Sequence, residues 1–541
     1  MRRCMGTIFP GWRLSFQKLT SPMRPFALLI CLIALLIFAC QPVVDDGEDT
    51  DDRPNVVLIL VDDLGFSDIA AYGSEVATPN LDRLAERGMT FTQFHNTSKC
   101  FPTRASLLTG LYAHQSGNGR TYGALQGAMT LGELLQQGGY YTLASGKHHG
   151  TENLFFRGFD HYYGLREGAA NHFNPGEPRE GEPVPAQKQR GEFRPFCLDS
   201  LTLQPYNPPA DFYTTDYFTR YALDFLRQAP DPDQPFFLYL AYTAPHDPLM
   251  AWPEDIARYE GRYDEGYEAI RQARYARQLA SGLLDSALYP LSEATFTPWE
   301  TLSPEEQAEE AQKMAVYAAM IDRLDQNIGQ LLAYLDSSGQ AGNTLIFFVS
   351  DNGASAEMVG ARGLNPEATT GEIGSVGRWS SLGPDWANVC NVPFRYYKNF
   401  SYEGGTCTPM IAYWPGKIQP GSRTSFMGHV IDFAPTLAEL AGVTYPDSFR
   451  NEALPPLPGV SLLPVLQGDT SSRQEPLFYE WQHGRAVWED GWKAIEQGDS
   501  GWELYRLATD RTEQQNLAEQ HPERLRRMRS RWEMWRKAVG D

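Results

Sequence analysis

Asn55-Val56-Val57-Leu58-Ile59-Leu60-Val61, followed at once by Asp62-Asp63, decides how the chain is read. An unbroken apolar, β-branched run without alternation marks a strand covered on both faces. Similar runs recur at 140–145, 236–241, 344–349 and 410–414, and helical patterns over 80–87, 131–137, 215–228 and 305–335 lie among them. Strands alternating with helices predict an α/β fold, a large and mostly parallel sheet sandwiched by helices. No internal repeat is visible.

Outward from this frame, an insert at about 251–304 has no strand pattern and reads either as a wall of a substrate entrance or as a solvated helical excursion. A Pro-rich stretch at 454–458 reads as a linker. Short alternating runs at 486–488 and 492–495, then an Arg-rich amphipathic helix over 522–537, predict a smaller C-terminal α+β domain. The expected division is therefore 54–453 and 454–541.

The N-terminus is read as a targeting segment. Arg2, Arg3, Arg13, Lys18 and Arg24 precede an apolar run at 26–39, short for a membrane span. Ile37-Phe38-Ala39-Cys40 resembles a bacterial lipobox, which implies a signal over 1–40, export to the periplasm or cell surface, and a membrane tether through lipid on Cys40. A plain secretory signal or an uncleaved anchor are the alternatives, and Met23 is a second possible start. Residues 41–53 read as an acidic tether. A net charge of −21 argues against nucleic acid as a partner. Of seven cysteines, Cys197, Cys390 and Cys407 remain once the N-terminal three and Cys100 are set aside, which allows one bridge at most.

Residues placed just past the strands carry the chemistry: Asp62-Asp63, then Lys147-His148-His149, then His246, then Asp351-Asn352-Gly353. Each alone reads as a turn, but in open α/β sheets ligands bind beyond the carboxyl ends of strands, so the four clusters converge. Asp62, Asp63, Asp351 and Asn352 offer only oxygen, the set a hard cation takes: calcium first, magnesium second. Cys100 stands one turn before Arg104, ahead of a helix expected over 105–108 with Pro102 as its first residue. Free N–H groups there favour an anion.

Cys100-Phe101-Pro102-Thr103-Arg104, continued by Leu107-Leu108-Thr109-Gly110, resembles the signature of the sulfatase family, within the alkaline-phosphatase-like superfamily. In that family the Cys is oxidised by a maturase to formylglycine, whose hydrate is the nucleophile. The resemblance extends to Gly146-Lys147-His148-His149, where His148 replaces the usual Trp, to Ala244-Pro245-His246, and to Lys398 ahead of Glu403-Gly404-Gly405. The insert at 263–283 and Pro393 to Lys398 look most like bacterial arylsulfatases.

The resemblance implies metal ligation by Asp62, Asp63, Asp351, Asn352 and the modified Cys100. It further implies sulfate binding by Arg104, Lys147 and Lys398, protonation of the leaving alcohol or phenol by His246, and His149 as the base that releases sulfate. The expected activity is hydrolysis of aryl or carbohydrate sulfate esters. A phosphonate or phosphate ester hydrolase on the same scaffold, and a non-catalytic lipoprotein that binds sulfated glycans, are the alternatives. His95, His114, His172 and His429 belong to no motif and read as structural.

Overall fold

The main sheet is built, in chain order, from β1 (Asn55–Asp62), β2 (Met89–His95), β3 (Tyr141–Gly146), β4 (His161–Leu165), β5 (Phe196–Leu198), β6 (Leu201–Leu203), β7 (Phe236–Pro245), β8 (Thr344–Ser350), β9 (Cys407–Tyr413), β10 (Ser422–Thr424) and β11 (Gly428–His429). This is a computed structural model, which describes Ser15 and residues 53–540 apart from 190, 191 and 370. The segments read as signal and tether lie outside the described residues, save Ser15 and Arg53. Among the described residues no helix is long and apolar enough to cross a membrane.

The strand order is β10-β2-β9-β8-β1-β7-β3-β4-β5-β6, with β11 also beside β2. β8, β1, β7, β3 and β4 run parallel, while β9 and β5 turn antiparallel at the two flanks. β1 is buried along its whole length, as its unalternating composition requires. Successive side chains leave a strand on opposite faces. Val57, Ile59 and Val61 accordingly pack with α1 (Pro79–Arg87), α4 (Thr214–Arg227), α5 (Gly266–Ala280) and α6 (Pro304–Ser337). Val56, Leu58 and Leu60 pack with α2 (Cys100–Thr109), α3 (Leu131–Gln137) and α7 (Phe433–Ala441). The sheet is thus covered on both faces.

The insert contains α5 and no named strand. Its Arg274 bridges Asp68 and Glu75, which locks the helix onto the loop after β1. After a small hairpin, β12 (Ser448–Phe449) with β13 (Glu452–Ala453), comes a second, antiparallel sheet: β14 (Leu477–Trp481), β15 (Gly484–Glu489), β16 (Trp492–Gln497) and β17 (Trp502–Arg506). Helix α8 (Pro522–Ala538) covers one face through Met528 and Trp532. The other face packs on Tyr112, Tyr402 and Ile431 of the main body. Cys100, Cys197, Cys390 and Cys407 are all free and buried, so the bridge allowed by the cysteine count does not form among the described residues.

Candidate active site

Strand register brings the polar clusters together. Val61 pairs with Ser350 and Asp62 with Pro245, so Asp351 and His246, one residue further on, flank Asp62-Asp63. Gly146 ends β3 level with Ala241, and only glycine fits there. Its φ is +117°, and a Cβ would sit 1.8 Å from the Ala241 carbonyl oxygen. The close approach delivers Lys147 to the same end of the sheet, its N–H donating to that carbonyl at 2.7 Å.

α2 begins at Cys100, not near Ala105, and Pro102 is its third residue rather than its first. Lys99 is extended, and the Thr103 N–H reaches its carbonyl at 3.1 Å, which closes the first turn around Cys100. Pro102 is tolerated because N–H groups throughout a first turn lack helical partners. Thr109 and Gly110 end the helix, Gly110 with φ +71° and its N–H on the Ser106 carbonyl.

Arg104, fully buried, holds two parts of the centre. Its Nε donates to Asp351 Oδ2 at 2.9 Å and its Nη1 to the Lys147 carbonyl at 2.9 Å, with Nη2 3.6 Å from Asp62 Oδ1. Lys147 Nζ lies 2.5 Å from Asp62 Oδ2. Lys398 Nζ lies 2.8 and 2.9 Å from the two oxygens of Asp63, and Asn352 Nδ2 donates to Asp63 Oδ1 at 2.6 Å. Asp63, His149 and Asn399 all have φ between +65° and +77°. Left-handed backbone outside glycine concentrates at functional sites, where packing enforces it.

Burial opposes ionisation of Asp62, but Lys147, His246 and Arg104 outweigh it and hold the carboxyl well below its usual range. Burial and the neighbouring Asp62 push Asp351 up to about 7. Two acceptors, Asp62 Oδ1 and Asn352 Oδ1, are buried without a hydrogen-bond partner. Orphaned oxygens among crowded carboxylates fit a hard divalent cation. Asp62, Asp63 and His246 bring one potential ligand atom each within 4.8 Å of one another.

A second cluster, His95, Glu403 and Cys407, also brings one potential ligand atom each within 4.8 Å of one another. There Lys493 Nζ lies 2.7 Å from Glu403 Oε1, Arg511 pairs with Glu403 Oε2, and two nitrogens of Arg511 are the donors left over. Two resident cations and spare donors make that cluster an ion-pair network, unsuited to a metal.

The two histidines of the centre differ. Burial, reinforced by Lys147, keeps the His149 imidazole well below its ordinary value and therefore neutral. For His246 burial is outweighed by Asp63 and Asp62, which raise it above 6.5. Its Nδ1 is 2.8 Å from Asp247 Oδ1, leaving Nε2 turned toward Asp63 at 3.4 Å. His148, the departure from the family motif, is buried with both ring nitrogens unpartnered; burial and Arg157 hold it near 3.

Cys100, His149, His246 and Lys398 line one cleft of about 680 Å³, so the centre opens to solvent. Asp62, Asp63, Arg104, Lys147, Asp351 and Asn352 form its floor through the contacts above. Burial raises the Cys100 thiol, with Lys398 and Lys147 opposing, so the unmodified side chain is no thiolate nucleophile.

Several contributors escaped the reading of the sequence. Asp247 fixes the His246 ring, a role its place next in the chain could have suggested. His172, already read as structural, donates from Nε2 to the His246 carbonyl at 3.1 Å while the Thr214 hydroxyl serves its Nδ1 at 2.6 Å, and so positions the strand end. Lys99, Tyr122, Lys188, Arg194 and Glu357 line the cleft without any motif.

Fold and site define a class: an α/β scaffold with buried carboxylate and amide oxygens that fit a hard cation, and three buried cations beside them, beyond its parallel strand ends. Comparison with known proteins narrows it. The Sulfatase profile matches residues 54–443, and the profile for the N-sulphoglucosamine sulphohydrolase C-terminal region matches 394–537. The chain belongs to the sulfatase family. It is 33% identical over 546 residues to an uncharacterized sulfatase of Schizosaccharomyces pombe, covering 90% of this chain and 94% of that protein. It is 34% identical over 459 residues to an arylsulfatase of Klebsiella aerogenes, covering 79% of this chain and 95% of that one. The crystal structure of Ps i-CgsB in complex with k-i-k-neocarrahexaose superposes with a TM-score of 0.65 at 26% identity, covering 89% of this chain and 92% of the other.

Proposed function

We propose that this protein hydrolyses sulfate monoesters in the cleft that holds Cys100. The observation that carries the reading is the meeting of Cys100, the Asp62–Asp63–Asp351–Asn352 oxygens and three buried cations in one centre. A divalent cation, calcium in this reading with magnesium the alternative, would be held by those oxygens and by the modified Cys100, and would supply Lewis acidity. Formylglycine installed at Cys100 by a maturase supplies a hydrated aldehyde as the oxygen nucleophile.

The chain's own residues do the rest. Lys147 and Lys398, held by Asp62 and Asp63, present ammonium groups to sulfate oxygens, and Arg104 fixes the cradle from beneath. His246, anchored through Nδ1 to Asp247, delivers a proton from Nε2 to the departing alcohol or phenol. His149, kept neutral, accepts a proton in the return half of the cycle. The arylsulfatase relative and the oligosaccharide-bound neighbour support both aryl and carbohydrate esters as substrates. The reading also includes export, cleavage before Cys40 and a lipid tether there, supported by the N-terminal residue pattern.

Matured protein assayed with paired aryl sulfate and aryl phosphonate esters tests the proposal. Sulfate is expected to be the preferred ester, and Cys100→Ala is expected to fold and lose turnover. A large phosphonate preference would reverse the reading, and near-wild-type activity of Cys100→Ala would remove that residue from the chemistry.

A further inference from the structure

Above the reaction centre, Lys99, Arg194 and Lys398 at the cleft mouth each stand against a carboxylate, and Lys188 stands over an aromatic ring. Glu357, 41% exposed on the loop after β8, accepts from Lys99 Nζ at 2.5 Å and from Asn399 Nδ2 at 3.1 Å, and its second oxygen is 3.1 Å from Lys398 Nζ. Arg194 pairs with Glu167, and Lys188 Nζ lies 5.0 Å from the centre of the Trp379 ring. Between these pairs the wall is aromatic: Phe101 lies 6.2 Å from Tyr122 and 5.1 Å from Trp481, ring centre to ring centre. The buried cations Lys147 and Arg104 sit deeper, where the sulfate group belongs, held on Asp62 and Asp351.

Resting on the sulfatase reading, we propose that the alcohol portion of the ester is electrically neutral and that Glu357 is the residue that enforces this. A carboxylate or second sulfate on the leaving group would meet the Glu357 oxygens, with Lys99, Arg194 and Lys398 each already partnered by an acid. A hydroxylated or aromatic ring meets an acceptor and flat apolar walls. Glu357 touches neither the nucleophile position nor the metal ligands, but its Oε2 lies against Lys398, so substitution is expected to slow both esters and the entry preference is read from their ratio.

The test compares 4-methylphenyl sulfate with 4-carboxyphenyl sulfate on matured wild type and Glu357→Gln. Taking the ratio of ratios cancels the difference in leaving-group acidity. Wild type is expected to favour the neutral ester, and Glu357→Gln to narrow that preference about tenfold, the scale of one charge–charge contact in a solvent-touched mouth. Lys99→Met, which strips Glu357 of a partner, is expected to widen it. Equal losses on both esters, or a preference unchanged within twofold in both variants, would overturn the proposal. Equilibrium binding of the same pair to metal-loaded Cys100→Ala reads the charge preference without turnover. Absence of any sulfatase activity would therefore sink the proposed function alone and leave the neutral-ester claim to be judged by binding.

Discussion

Arg104→Lys is the sharpest probe of the centre, because it keeps the charge and removes the fork. The guanidinium makes two directed bonds in full burial, to Asp351 Oδ2 and to the Lys147 carbonyl, both at 2.9 Å. A lysine ammonium on a shorter reach serves one of them. The forfeited charge-assisted bond corresponds to about 1.5–3 kcal/mol, and Lys147, no longer tied at its carbonyl, drifts from the sulfate position. Carried into the transition state, that loss lowers kcat/KM by about 10- to 150-fold. Initial rates on an aryl sulfate, with far-ultraviolet circular dichroism to confirm folding, measure it. A folded variant within twofold of wild type would show that positive charge alone suffices and that the two-bond geometry is irrelevant.

Two further outcomes concern stability. Burial opposes ionisation of Glu75, but Arg274 brings its carboxyl from 4.5 down to about 2, so the pairing contributes about 3 kcal/mol above pH 4.5 and loses it as pH falls toward 2. Glu75→Gln should therefore unfold at lower urea than wild type at neutral pH and converge with it near pH 2; a gap independent of pH would refute the linkage. Lys493→Met breaks a buried contact with Glu403 and Glu513 and should cost about 3–5 kcal/mol and reduce turnover, since Glu403 lies in the segment carrying Lys398. An unfolding midpoint equal to that of wild type would exclude this network from the fold's support.

Much of the architecture is legible in the chain because it is local. β1, β7 and β8 announce themselves as unbroken apolar runs, and the acidic, basic and amide groups just beyond them land together because parallel strands end in register. β2 is not legible in the same way: Met-Thr-Phe-Thr-Gln-Phe-His alternates like a half-exposed strand, yet it lies between β9 and β10 with almost every residue buried. The start of α2 is hidden by Phe101 and Pro102, poor interior helix residues that are acceptable in a first turn. Glu357 is invisible because its partner Lys99 is 258 positions away, and Lys493 because its partner Glu403 is 90 away. Pairings made by tertiary closure leave no periodic trace.

The tail sheet grips the strip of chain that carries Lys398 at several points. Trp481 Nε1 donates to Asn399 Oδ1 at 2.9 Å, Lys493 and Arg511 hold Glu403, and Arg395 Nη1 donates to the Glu513 carbonyl at 2.9 Å. The consequence is one of timing. A ribosome has finished the acids, the helix that starts at Cys100 and both histidines long before it reaches residue 481, and until then the strip has its main-body contacts, such as Lys398 on Asp63, without the clamp from the tail. The support of Lys398 is thus finished only after the rest of the centre has been made, and a product stopped at residue 476 is expected to turn over an aryl sulfate more slowly than a chain that carries residues 477–513.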